Sequence, residues 1–441
     1  MAKAVTHVLG VDLGTRYLKV VELCLQGNRL ALVGFPFLIP TPDGAVDGGQ
    51  VVDSKQVGAA LREALKGVRL GTRKAILAVA GDPMVIVRVA EMARMKGRDL
   101  EDAVKFEINR HSQFDIQELY YDYAIIESPD APPEGENMEV LLAAAHEETV
   151  NASIKAIMDV RLQPVGVDVM PLAVARSSLL CGGDGAFDQT LCCVHIGSSA
   201  TFIVMVRKGM PNFIRFLPTA GDTLTEAIRS AGIADPSAAE AVKRLFADAS
   251  ILAGYEEPLG EEEEDSVFEV SDTSAEDVVG PEGEEATLLD VEAPIEALAE
   301  EESSKARPPE PTAGPEAHVP ERSPEEQHLA ELLADGLEQP VIDLATEIRR
   351  SIEFYRRQHR NEPVDKIVVS GGTALMGGLR SFLGGELGVP TVLCNPFAGM
   401  DLPGNDPNLA RYLQEVGPVF AGAVGLAVRD MIEAPVAVAG S

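Results

Sequence analysis

An acid and several small residues form a turn at the end of the first apolar run of the chain. The turn reads Asp12-Leu13-Gly14-Thr15-Arg16, and Lys19 follows it. A carboxylate at the end of a buried strand can hold a hydrated magnesium ion, while Gly14 and Thr15 let backbone N–H groups approach a phosphate. The pattern is short enough to occur by chance. It predicts a turn that binds phosphate and magnesium, with Lys19 as an additional cation.

A second turn of the same kind occurs halfway along the chain. The apolar residues 191–196 lead into Gly197-Ser198-Ser199, and His195 stands where the first copy has Asp12. Magnesium prefers oxygen ligands, so a neutral imidazole binds it poorly and a protonated imidazole repels it. His195 therefore predicts that catalysis is weak or lost in this pocket. The alternative interpretation is a buried, neutral histidine that is hydrogen-bonded within the cleft.

A pair of glycines follows a third apolar run, at 366–370. The segment reads Ser370-Gly371-Gly372-Thr373 and leads into a predicted helix. Adjacent glycines at a strand-to-helix turn let the backbone lie against a planar ligand such as a nucleobase, and a helix N-terminus favours anions. A single turn of this type is usually only a tight connection. Three glycine turns in this order are more specific, and they predict a nucleotide pocket.

Two similar sets of strands are expected to position the first two turns. Each set has three apolar runs with a glycine-containing turn between the second and third. Gly14 and Gly27 are 13 residues apart, and Gly197 and Gly209 are 12 apart. This spacing favours an internal duplication over a chance match of two β meanders. The predicted strands are 5–11, 18–25 and 29–35 in the first set, and 191–196, 200–207 and 212–216 in the second.

The segment between the two sets has a different pattern. Its strands and helices alternate in a β-α-β-β-α-β-like order, which predicts a small inserted α+β subdomain. The predicted elements are strands at 84–89, 139–145 and 165–169, a helix capped by Asp99, a helix at 149–159, and a further helix opened by Pro171.

The charge of this 441-residue chain is concentrated in one segment. The formal net charge is −33, but residues 256–326 hold 25 acids and three bases, so the other 370 residues carry only −11. This segment is rich in proline and poor in aromatic residues, which predicts disorder, either as a solvated spacer or as a regulatory tail. Because the rest of the chain is also net negative, we expect it to bind neither duplex nucleic acid nor, unaided, an anionic membrane surface.

Other features of the composition are less specific. The apolar segment 416–427 is too short to span a bilayer, so it predicts a buried helix and no direct membrane insertion. The five cysteines include no C-x-x-C pair, which predicts buried free thiols.

The helix predicted from 327 carries two different faces. Its apolar face consists of Val341, Leu344, Ala345, Ile348, Ile352 and Tyr355. Arg349, Arg350, Arg356 and Arg357 lie on or beside the opposite face, which favours a solvated face over an anion site.

The three glycine turns resemble, in order, the phosphate-1, phosphate-2 and adenosine turns of the actin-like ATPase fold. Within that superfamily the chain resembles the PilM family of type IV pilus assembly proteins, which are relatives of the division protein FtsA. The position of the inserted subdomain between the first two turns supports the closer resemblance. The stretches that carry it are 78–81 with 85–88, 139–145 with 164–171, 220–228, and 367–379 with 395–397.

The resemblance implies an α/β fold of two lobes, each ribonuclease H-like, that close on ATP and magnesium. The implied organisation is a first lobe at 1–83 with 171–189, an inserted subdomain at 84–170, a second lobe at 190–253 and 327–430, a disordered acidic insertion at 254–326 and a tail at 431–441. Arg16 would narrow the pocket or contact a phosphate. The implied nucleotide-binding residues are Asp12 (also the metal ligand), Gly14, Thr15, Arg16, Lys19, Gly197, Ser198, Ser199, Gly221, Glu240, Lys243, Gly371, Gly372 and Thr373.

The resemblance also implies a function as a cytoplasmic scaffold, attached to the inner membrane through partners. A groove involving the inserted subdomain would receive the N-terminal peptide of a PilN-like membrane protein. Motor ATPases and a platform protein would be further partners, and the chain could form a ring. Three alternatives remain open: a component of a type II secretion platform, which usually continues into a transmembrane helix; an active ATPase or small-molecule kinase or phosphatase; and a polymerising filament.

Overall fold

The computed structural model describes residues 6–126, 137–183, 185–233, 235–246 and 324–431. Most of the predicted acidic insertion at 254–326 lies outside these residues, as do positions 432–441 of the predicted tail. The long helix that follows the insertion begins at Pro324, three residues before the predicted restart at 327.

The first sheet contains an antiparallel meander with two parallel strands beside it. The strand order is β11-β7-β1-β2-β3, with β4 paired to β2, and β7 and β11 run parallel to β1. Gly27, at φ 61°, makes the predicted hairpin turn between the second and third strands. The strands are β1 (His7–Leu13), β2 (Tyr17–Gln26), β3 (Arg29–Leu32), β4 (Phe37–Pro40), β7 (Lys74–Val79) and β11 (Gln163–Val169), and the short pair β5 (Val46–Asp47) and β6 (Gln50–Val51) precedes helix α1 (Ser54–Ala64).

The second sheet repeats this arrangement. Its order is β14-β13-β12-β15-β16, with an antiparallel meander of β12, β13 and β14 and with β15 and β16 parallel to β12. The shared order confirms the duplication that the spacing of the glycines predicted. We refer to the two sheets with their packed helices as the first and second lobes. The strands are β12 (Thr190–Ile196), β13 (Thr201–Arg207), β14 (Met210–Leu217), β15 (Lys366–Ser370) and β16 (Thr391–Leu393).

A third sheet lies within the range predicted for the inserted subdomain, 84–170. It is formed by β8 (Val85–Ala93), β9 (Leu119–Ile126) and β10 (Asn137–His146) in the order β8-β10-β9, and helix α2 (Arg98–His111) packs on it. The C-terminal part of the same range contacts the first lobe, because β11 pairs with β7 and helix α3 (Glu147–Met158) packs on α1. Asp99 is not the cap of α2, since Gly97 occupies that position.

The remaining helices surround the two sheets. The predicted apolar face of α7 is buried at every position, since Val341, Leu344, Ala345, Ile348, Ile352 and Tyr355 are each at most 7% exposed. The helices are α4 (Met170–Cys181), α5 (Gly221–Ser230), α6 (Pro236–Phe246), α7 (Pro324–Gln358), α8 (Leu379–Leu387), α9 (Pro407–Val416) and α10 (Ala421–Ala427).

Helices α4 and α10 join the two lobes. α4 contacts β7 and β11 of the first sheet and β12, β13 and β15 of the second. The predicted buried C-terminal helix is α10, but it packs on β1, β2 and β7, so the range 327–430 does not belong wholly to the second lobe. Close packing explains its small residues: a Cβ at Gly425 would overlap the carbonyl oxygen of Ala173 on α4.

Two of the five cysteines are not free thiols as predicted. Cys181, at the end of α4, forms a disulfide with Cys394, which follows β16. Cys192 and Cys193 are free and buried, and they belong to hydrophobic clusters on opposite faces of β12. Among the described helices, none combines the length and apolar character that crossing a bilayer requires.

Candidate functional site

The three glycine turns meet at a cavity between the lobes. Its volume is about 320 Å³, within the range typical of small-molecule sites. Gly221 does not line it; the Gly221 N–H instead donates to the carbonyl oxygen of Gly197 at 3.0 Å. The sequence-predicted residues that line the cavity are Asp12, Gly14, Thr15, Arg16, Lys19, His195, Gly197, Ser198, Ser199, Glu240, Lys243, Gly371, Gly372 and Thr373.

Asp12 lies at the floor of the cavity, near the end of β1. Its carboxylate is buried, and the Lys19 ammonium donates to Oδ2 at 2.9 Å. The two residues are direct neighbours across the β1–β2 ladder, so the hairpin itself places the cation on the acid. The pair is therefore neutral as a unit, and Asp12 is not an uncompensated charge that needs a metal ion.

His195 is buried on the opposite side of the cavity. It is 7% exposed, its Nδ1 lies 3.0 Å from the Ser370 Oγ, and its ring stacks on Phe202 at 6.3 Å between centroids. Burial lowers the pKa of His195 to about 4; the charge of Asp12 opposes this effect and that of Lys19 adds to it. The imidazole is therefore neutral at pH 7.

These groups do not fit a magnesium ion held between two acids. Asp12 is the one carboxylate predicted to coordinate the metal, and it is paired with Lys19. The facing group is a neutral imidazole, which is a poor ligand for this hard cation. Across the described residues, no cluster of three or more His, Cys, Asp or Glu side chains has a metal-binding arrangement.

In the third turn, packing within the protein requires one glycine, and the other leaves room for a ligand. Gly371 has φ 94°, and a Cβ there would overlap the carbonyl oxygen of Ile196. Only glycine tolerates this conformation and contact together. The neighbouring Gly372 has open space on its Cβ side, as expected where a planar group could lie against the backbone.

Glu240 and Lys243 form a largely buried polar cluster beside the third glycine turn. The Lys243 ammonium lies 2.8 Å from each of three acceptors: the Glu240 carboxylate, the Thr225 hydroxyl and the Gly221 carbonyl oxygen. Burial lowers the pKa of Lys243, although Glu240 opposes the shift. Because an ammonium has three donors, this lysine is fully used in tying α6 to α5, and its contribution to the cavity wall is structural.

Arg16 and two residues that the sequence did not single out line the rim of the cavity. Arg16 donates to the Asp222 carboxylate at 2.7 Å rather than projecting freely into the cavity. Burial lowers the pKa of Arg16, but the hydrogen bond and charge of Asp222 outweigh this effect, so the net shift is upward. Arg244 donates to the Tyr17 hydroxyl at 2.6 Å and lies over its ring. In the sequence, the clue to Arg244 was its position next to Lys243, which the resemblance had placed in the pocket.

The comparison with known families decides the assignment. The model of the family described as type IV pilus assembly protein PilM matches residues 10–250 and 321–431, which is most of the chain. The chain belongs to the PilM family.

One solved structure supports this membership. A structure titled "PilM-PilN type IV pilus biogenesis complex" matches at 26% identity with a TM-score of 0.69, covering 98% of this chain and 100% of that one. This match and the two sheets of the same strand order agree with the two-lobe fold that the resemblance implied. A weaker likeness is MreB5 of Spiroplasma citri bound to AMPPNP, at 12% identity and a TM-score of 0.43, with 95% of each chain covered.

A second cavity separates the inserted subdomain from the second lobe of this PilM-family chain. Its volume is about 400 Å³. The consecutive residues 85–89 of β8 and 212–216 of β14 line it, together with the aromatic side chain of Phe354. Consecutive rather than alternate residues are typical of the edge of a strand. Ala80 and Phe202 line both this cavity and the first one.

Proposed function

We propose that this PilM-family protein is a cytoplasmic scaffold of a type IV pilus machine, held at the inner membrane by the N-terminal peptide of a PilN-like protein. The observation that carries the proposal is the match to the PilM–PilN complex over nearly the whole of both chains. The second cavity is the place that we assign to the peptide.

The walls of the second cavity support this assignment. Within the described residues, β8 pairs only with β10, and β14 pairs only with β13, so each strand has one edge without a strand partner. Such edges offer backbone donors and acceptors to an extended peptide. Phe354 is 49% exposed and contacts Phe213 at 5.6 Å between centroids, which provides an apolar surface for peptide side chains.

The test is a binding titration with the N-terminal peptide of the PilN-like protein encoded in the same genome. Phe354→Ala is expected to weaken binding about tenfold, because the burial of one aromatic side chain at an interface commonly contributes more than 1 kcal/mol. The matched control is Phe187→Ala, since Phe187 is also partly exposed, at 41%, but does not line the cavity. Equal affinities for wild type and Phe354→Ala would exclude this cavity as the peptide site.

We further propose that the first cavity binds ATP but hydrolyses it slowly or not at all. The meeting of the three glycine turns at one cavity and the open space beside Gly372 support nucleotide binding, and the neutral His195 argues against a magnesium-dependent reaction. In equilibrium titrations, magnesium is expected to change the ATP affinity of wild type less than that of His195→Asp. A wild type that hydrolyses ATP as fast as His195→Asp would refute this part of the proposal.

A further inference from the structure

Three consecutive residues of the first lobe each contact a different part of the second lobe. The Thr15 hydroxyl lies 3.1 Å from the Ser199 hydroxyl on the second glycine turn. Arg16 pairs with Asp222 on α5. The Tyr17 hydroxyl accepts from Arg244 on α6 at 2.6 Å. All of these contacts run from the first lobe to the second at the first cavity.

The contacts lie on the solvent side of the cavity. Arg16 and Asp222 are 43% and 38% exposed, whereas Asp12 and His195, which also line the cavity, are buried. At the other end, α4 and α10 connect the lobes through buried apolar packing. The lobes are therefore connected on both sides of the cavity. Helices α4 and α10 connect them on the buried side, and the polar side chains of the rim connect them on the solvent side.

We propose that Arg16–Asp222 and Tyr17–Arg244 form a strap that holds the lobes closed in the absence of nucleotide. In this arrangement the side chains of the protein itself bridge the cavity. A ligand that enters must first separate Arg16 from Asp222 and Tyr17 from Arg244. The distance between the lobes then depends on these rim contacts, which salt and mutation can weaken.

The chemistry of the two contacts predicts how the strap responds to conditions. The Arg16–Asp222 pair is partly exposed, so added salt screens it. The Tyr17–Arg244 contact combines a hydrogen bond with an arginine 5.5 Å from the ring centroid, and the ring contact remains when the hydroxyl is removed. The ion pair is thus the component to test first.

The experiment measures the distance between the lobes in nucleotide-free protein. Spin labels are placed on Glu63→Cys of α1 and Arg357→Cys of α7, both of which are more than three-quarters exposed, in a Cys24→Ser background. Asp222→Asn alone is expected to raise the population of long interlobe distances by up to about fivefold, the range expected for one exposed ion pair. Adding Tyr17→Phe, which removes the second contact, is expected to raise that population further.

Two further variants make the outcome decisive. Glu226→Gln removes an exposed ion pair of the same helix that stays within the second lobe, and it is expected to leave the distances unchanged. Exchanging the charges, with Arg16→Asp and Asp222→Arg together, is expected to restore the short distances. High salt should lengthen the distances in wild type but not in Asp222→Asn. If the strap variants and wild type give the same distance distribution, the rim contacts do not hold the lobes closed.

Discussion

The burial of His195 makes the stability of the protein depend on pH in a way that one substitution should remove. The imidazole is 7% exposed, and burial lowers its pKa from 6.5 to about 4. In the unfolded chain the ring is solvated and titrates near 6.5. His195→Gln keeps a polar side chain that can reach the Ser370 hydroxyl, but it cannot be protonated in this pH range.

The size of the effect follows from the two pKa values of His195. Above about pH 7.5 the ring is neutral in both states and contributes no pH dependence. As the pH falls through 6.5, the unfolded state gains a proton that the folded state does not, so folding stability is lost until the pH reaches about 4. Between about pH 7.5 and pH 5 the loss is about 2 kcal/mol, and it approaches about 3 kcal/mol at the acidic limit.

The assay is urea unfolding of wild type and His195→Gln at about pH 7.5, 6 and 5, analysed as the difference between the proteins at each pH so that other titrating groups cancel. We expect wild type to lose about 2 kcal/mol more than the variant over this interval. Ser370→Ala is the matched control, because it removes the 3.0 Å contact but keeps the buried imidazole, so its pH dependence should remain that of wild type. Parallel curves for wild type and His195→Gln would refute the assignment of a buried neutral histidine.

Three other predictions follow from the geometry of the first cavity and its surroundings. Gly371→Ala should lower the free energy of unfolding by about 2 kcal/mol or more, because of its positive φ and the overlap with Ile196, whereas Gly372→Ala should be nearly neutral in urea unfolding. Lys19→Met should cost about 3–5 kcal/mol because it leaves the buried Asp12 unpaired, and adding Asp12→Asn should recover most of the loss. Alkylation of denatured protein should label three thiols without reductant and five with it, and a count of five in both would exclude the disulfide of α4.

The sequence alone predicted those elements of the fold whose pattern lies within a short stretch of the chain. The two meanders and their glycine turns could be predicted because each is a short stretch with its own periodicity, and the exchange of Asp12 for His195 was visible by aligning the copies. The pairing of β11 with β7 could not be predicted in this way. It joins residues about 90 positions apart, and the sequence between them has the pattern of a single α+β unit. The position of α10 could not be predicted either. Its apolar residues indicate that it is buried, but they do not indicate which lobe it packs against.

The rim residues were harder to assign, because their partners lie far along the chain. Arg16 was predicted either to narrow the pocket or to contact a phosphate; its partner, Asp222, is 206 residues away. Arg244 and Tyr17 are 227 residues apart and carry no pattern that relates them. Such pairs become visible only when the two lobes face each other, which is a property of the folded molecule and not of either half.

The charge balance of the first cavity determines how easily a phosphate can bind there. Lys19, Lys243 and Arg16 are each within 3 Å of a carboxylate, on Asp12, Glu240 and Asp222 respectively. A phosphate that recruits one of these cations has to compete with an acid that already neutralises it, and the separated acid then loses its partner in a partly buried site. Arg244 differs, because its partner there is the neutral hydroxyl of Tyr17. Among the residues that the structure describes, recruiting Arg244 leaves no carboxylate unpaired, so we expect an entering anion to meet the least resistance at this rim contact, which is also one half of the proposed strap.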